Sequence, residues 1–193
     1  DVNGKFVLLS GLATAIASAL SMGSGAYLAT KSEREVYEAE IERERMEIET
    51  EPEQEREEME LFYQLKGFSA DEAKTLAAKL AQQPEQLLKT LAHEELGLSE
   101  KGFPNPWKSA MSATLSTAGG AIVPVIPFIF FSGTTALVWS FAISTLAHFV
   151  VGASKTLVTG RSWLKSGAEM TIVGVGEAVV TYCIGLLIAP VLR

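Results

Sequence analysis

The sequence predicts an all-α membrane protein, a polytopic helix bundle that carries a helical insert facing water. Two observations predict it. Of the 23 acidic residues, only Asp1, Glu169 and Glu177 lie outside residues 31–107. What remains is dominated by four almost uncharged stretches, 6–30, 109–131, 135–158 and 167–192. Each is long enough for the roughly 20 apolar residues that a bilayer crossing needs. This partition of charge divides the chain into a membrane helix at 1–30, an aqueous insert at 31–107 and three membrane helices at 108–193. A net charge of −7 argues against nucleic acid as a partner, whose phosphates need Lys and Arg.

The first stretch is too long and too evenly apolar for a secretory h-region, and Lys31 follows it as a stop. All the spans are rich in small residues, such as Gly23 and Gly25, Gly119 and Gly120, and Gly174 and Gly176. Such residues let membrane helices approach closely where lipid supplies no hydrophobic drive between them. Pro124 and Pro127, in "GGAIVPVIPFIFF", should kink the second span and turn the carbonyls they release toward protein or a wet cavity. Lys101, Lys108, Lys155, Arg161 and Lys165 flank the short loops on one side, which the positive-inside rule assigns to the cytoplasm together with the insert. The lone Cys183 forms no disulfide framework and reads as a small buried hydrophobe.

Within the insert, a first helix is expected from residue 32 to 51, ended by the Glu51-Pro52 step. A second covers 53–66, with Met59, Phe62 and Leu65 at helical spacing and Gly67 as its stop. In "SADEAKTLAAKL", Ser69 and Glu72 form a capping box. Pro84 opens a last helix that Gly97 closes. The "FPNPW" segment then returns the chain to the membrane.

Between Glu35 and Glu60 the acids far outnumber the bases, so pairs one turn apart cannot neutralise them all. Most Glu-rich helices are simply solvated faces. The alternative is that a cation relieves the repulsion, and carboxylates suit Mg, Ca, Mn and Fe(II). Glu44 with Glu47, and Glu55 with Glu58, sit one turn apart. On a straight helix the two pairs would be about 16 Å distant, so only a fold-back at Pro52 allows them to share an ion, with Glu94 or Glu95 arriving from the last helix. In the membrane part, Glu177 lies about ten residues inside the last span, where ionisable groups face a bundle interior or a watery route. Met22 offers a thioether near the end of the first span. His148 reads as packing or hydrogen bonding between helices, and His93, beside Glu94, more readily as a surface residue than as a ligand.

The segments "ALSMGSGAYLATKSEREVYEAEIERERMEIE", "EELGL" and "NPWKSAMSATLSTAGGAIVPVIPF" resemble, in this order, the vacuolar iron transporter family, and its bacterial members in particular. The likeness covers nearly the whole chain. It implies a homodimeric exchanger, not an enzyme, that moves Fe(II), and often Mn(II), out of the cytoplasm against protons. By position in the motif, Met22 corresponds to a transport methionine, and Glu44, Glu47, Glu55, Glu58 and Glu95 to ligands of the insert, with Glu94 beside them. Family members usually have five spans, the first bearing an aspartate in the ion path, so a fifth, N-terminal span is expected to be missing from this sequence. Where the family often carries a glutamate this chain has Ala26, which leaves Glu177 as the candidate for proton coupling. The bacterial inner membrane is the implied location, with the vacuolar membrane as the alternative. The rival function is a non-transporting, membrane-anchored metal sensor or store.

Overall fold

The computed structural model describes residues 4–94, 97 and 103–188. Among them every regular element is helical. Helix α1 (Gly4–Thr50) runs for 47 residues because nothing in it breaks the backbone ladder. It ends at Glu51, whose φ of −132° and ψ of 50° leave the helical region, and Pro52 opens α2 (Pro52–Leu65). Gly67 then adopts a φ of 96°, a conformation that side chains with a Cβ resist. Ser69 and Glu72 make the expected capping box at the start of α3 (Ala70–Ala81). Helix α4 (Pro84–Glu94) follows with proline in its first turn, where the missing amide proton costs nothing.

Helix α5 (Pro106–Ile122) is capped by Asn105, whose Oδ1 accepts from the amides of Trp107 at 3.0 Å and Lys108 at 3.2 Å. Pro124 and Pro127 break it into a 3-10 turn at Val123–Val125 and a short α6 (Pro127–Phe130). After a tight turn come α7 (Gly133–Ser154), the single-turn α8 (Thr156–Thr159) and α9 (Trp163–Ile188).

Four helical stretches, Gly4–Thr50, Pro106–Phe130, Gly133–Thr159 and Trp163–Ile188, are long and apolar enough to cross a membrane. At 1.5 Å per residue α7 alone spans about 33 Å, close to the ~30 Å of a hydrocarbon core. The protein is thus an integral, multi-pass membrane protein. The chain divides into two compact units, one of residues up to Met22 and from Ala113 onward, the other Gly23–Ser112.

In the membrane unit, α7 and α9 approach until side chain meets backbone. A Cβ placed on Gly152 would sit 2.5 Å from the Ser166 carbonyl oxygen and 2.8 Å from Met170 Cβ. One on Gly167 would fall 2.6 Å from the Phe149 ring, and one on Gly174 would be 2.4 Å from the His148 ring. Glycine spacing therefore sets this pair, as small residues do where lipid competes equally for apolar surface. Not every glycine acts so. Gly25, Gly119, Gly120 and Gly176 have nothing within 4 Å of a built Cβ. Cys183 departs from expectation: it is exposed, as is every described residue of α9 from Gly176 onward.

The helical unit has its own core. Met59 of α2, Ala77 of α3, and Leu87 and Leu91 of α4 are buried together, with Ile48 of α1, Phe62, Tyr63 and Leu80 packed around them. Arg45 of α1 also pairs with Glu85 of α4 at 3.0 Å. Further along, Tyr37 stacks on Phe103 with ring centres 6.2 Å apart. The Arg34 guanidinium lies 5.7 Å from the Phe103 ring centre, a cation–π distance.

Candidate functional site

The acidic run separates into two populations. Most of its carboxylates are solvated and engaged one turn away: Arg34 with Glu38 at 2.7 Å, Arg43 with Glu40 at 2.8 Å, and Arg56 with Glu53 at 2.7 Å. Such exposed pairs add little stability individually. They keep the helices soluble and account for the ordinary part of the charge. Hydrogen bonding and the charge of Glu85 hold the Arg45 guanidinium above its usual pKa, and those of Glu53 do the same for Arg56.

Two carboxylates behave differently. Glu44 is 1% exposed and Glu55 is 4% exposed, the only charged side chains in the buried set among the described residues. Each lies one turn N-terminal to a residue of the shared core, Glu44 before Ile48 and Glu55 before Met59. The break at Glu51 supplies the change of direction that puts the end of α1 and the start of α2 against one core. Burying an ionised carboxylate costs several kcal/mol in real proteins unless other charges and hydrogen bonds compensate. Both residues do make interactions within the chain.

The remaining predicted ligands are placed as follows. Glu47 is partly buried, with its carboxylate 3.6 Å from Arg43. Glu58 is partly buried and accepts a hydrogen bond from Gln54 at 3.5 Å. Glu94, at the end of α4, is paired with Lys66. Glu95 lies outside the described residues. Among the described residues, no three His, Cys, Asp or Glu side chains stand close enough together to hold one ion. Divalent-ion sites of oxygen ligands draw on six or more donors, including carbonyls and water, more than the two buried carboxylates supply. His93 is exposed, as expected of a surface residue.

In the membrane unit, Met22 is exposed on α1 and Glu177 is exposed on α9. His148 does bond to a neighbour, but within its own helix: Nδ1 lies 2.8 Å from the Ser144 carbonyl oxygen.

The sequence pattern that defines the VIT family matches residues 1–186. Vacuolar iron transporter 1 of Arabidopsis thaliana is 29% identical, over 97% of this chain and 76% of its own length. Vacuolar iron transporter 1 of Oryza sativa subsp. japonica is 32% identical, over 92% of this chain and 71% of its own. Protein CCC1 of Saccharomyces cerevisiae is 29% identical, over 89% and 56%.

Proposed function

The chain belongs to the VIT family, and from that premise we propose that it exports Fe(II) from the cytoplasm in exchange for protons. Mn(II), with the same preference for oxygen donors, is the second cargo. The relatives, named vacuolar iron transporters, support iron as the substrate. The observation that carries the capture step is the burial of Glu44 and Glu55 in the helical unit. In this reading the two carboxylates, at the end of α1 and the start of α2, take one divalent ion between them in exchange for their present contacts. Glu47 and Glu58, at the rim, exchange their present partners for the ion. Glu94, at the end of α4, and Glu95 are the remaining ligands of the shell.

Met22 receives the ion at the membrane. A thioether is a weak ligand for a hard ion, which suits a station that must release its cargo. Glu177 is the candidate for proton coupling. A carboxylate in a membrane helix is costly unless it faces protein or water, and this chain leaves Glu177 exposed. A second copy covering α9 accounts for that exposure, so the working assembly is a homodimer.

The test is flux. The full chain in liposomes is expected to move Fe(II) when a pH gradient is imposed and to stop when the gradient is collapsed. Fe(II) binding with no flux under either condition would replace the exchanger with a membrane-anchored sensor or store.

A further inference from the structure

The membrane unit holds a cavity of about 490 Å³ between α5, the 3-10 turn, α7 and α9. Its wall includes Ser116, Gly120, Val123, Ser144, His148 and Met170. Nothing in the transport path described above uses it. We propose that His148 is a proton-carrying group of the exchange, loaded from water in this cavity and held in place by a notch at Gly174. The proposal rests on the proton-coupled reading and adds a second titratable station to it.

Four observations carry it. First, a carbonyl oxygen only accepts hydrogen bonds, so the 2.8 Å contact with Ser144 places a proton on Nδ1 and leaves Nε2 as the accepting nitrogen of the neutral ring. Second, the ring can occupy this position only because residue 174 has no side chain. A Cβ there would lie 2.5 Å from Nε2, so the backbone of α9 fixes the imidazole against the cavity wall. Met170, one turn earlier on α9, lines the same cavity and closes that side by packing on Gly152.

Third, the cavity has polar groups for water to bind. Ser144 Oγ is buried and makes no hydrogen bond within the described chain, and Ser116 adds a second hydroxyl. Gly120 and Val123 also line it. Proline follows each of them by four residues, so neither carbonyl can receive the amide that a regular helix would supply. The cavity's lining is mostly apolar, so water would gather at these hydroxyls and freed carbonyls rather than fill the whole volume. Fourth, the remaining lining residues are small, apolar or hydroxylic. Among the described residues that line the cavity, His148 is the one with a titratable side chain; the nearest carboxylate along α9 is Glu177, one turn beyond Gly174 and outside the lining. Histidine is also the side chain suited to exchanging protons near neutral pH.

The experiment uses the full chain in liposomes, with Fe(II) flux measured across a series of imposed pH gradients. H148Q is expected to lose at least tenfold of the gradient-driven flux while Mn(II) binding to the helical unit is unchanged. G174A, which displaces the ring but keeps it, is expected to give an intermediate loss. A wild-type flux that ignores the gradient defeats the proton-coupled reading as a whole. A gradient-driven wild type with an H148Q variant of the same flux and pH profile overturns the His148 assignment alone. A second readout covers misfolding of either variant. The sequence has two histidines, so H93Q leaves His148 as the sole imidazole for nitrogen-15 spectra in bilayers. Ring resonances that move with the pH of the medium support access by water, and resonances unchanged from pH 5 to pH 9 overturn it.

Discussion

Replacing both Glu44 and Glu55 by glutamine is the sharpest probe of ion capture. Glutamine keeps the volume and polarity of the buried side chains and removes two charges that are 1% and 4% exposed. A divalent ion held between them in the wild type would stabilise the fold by mass action. At about 100 times its dissociation constant a ligand adds about 2.7 kcal/mol, and each 1.4 kcal/mol is tenfold in an equilibrium. Slow amides of α2 and α4 around Met59, Leu87 and Leu91 exchange only when that core opens, so Mn(II) should slow them by about a hundredfold. In E44Q/E55Q the gain should vanish, because two neutral amides cannot balance an ion of charge +2 in a site closed to water. E47Q, changing a carboxylate already 3.6 Å from Arg43, should lose less. Hydrogen exchange followed by mass spectrometry reads all three proteins. An undiminished hundredfold effect in the double variant would refute the assignment of these carboxylates as ligands of the ion.

Three further outcomes test the surrounding structure. Met59→Ala should destabilise the helical unit by about 2–5 kcal/mol, the range for emptying a fully packed core site, measured by chemical denaturation with a probe in α2. Gly152→Leu should lower the thermal midpoint of the protein in detergent, because even its Cβ falls 2.5 Å from the Ser166 carbonyl oxygen. Hydrogen bonds from the Ser69 hydroxyl and amide hold the Glu72 carboxyl below the usual carboxylate range. Its folded-state pKa is therefore depressed, and the stability it lends α3 is present above the unfolded carboxylate value and lost as pH falls through the folded one. Ser69→Ala should flatten that acid limb in thermal melts followed by circular dichroism.

The architecture was legible because its signals are long and redundant. Four apolar runs, the Glu51-Pro52 break, the Ser69/Glu72 capping box and the Pro124/Pro127 kink each reappear where chain chemistry demands. The division among the glutamates was harder to see. Counting turns put Glu44 with Glu47 and Glu55 with Glu58, whereas burial selects one of each pair. The signal was present in the apolar stripe. Glu44 falls on the line from Ile41 to Ile48, and Glu55 on the line of Met59 and Phe62, while Glu47 and Glu58 stand one residue off it. The His148 site had no such signal. It depends on Gly174, 26 positions away in sequence, meeting the ring across two packed helices, and a single span's pattern does not encode its neighbour. Cys183 failed for the related reason that an apolar run in a membrane helix can face lipid as well as protein.

Anomalous X-ray scattering from crystals of the full chain grown with Mn(II) tests the central claim most directly. The account predicts a manganese peak in the helical unit with carboxylate oxygens of Glu44 and Glu55 both at about 2 Å, the usual metal–oxygen distance. A fully occupied peak elsewhere, with these two carboxylates buried and unliganded, would contradict it.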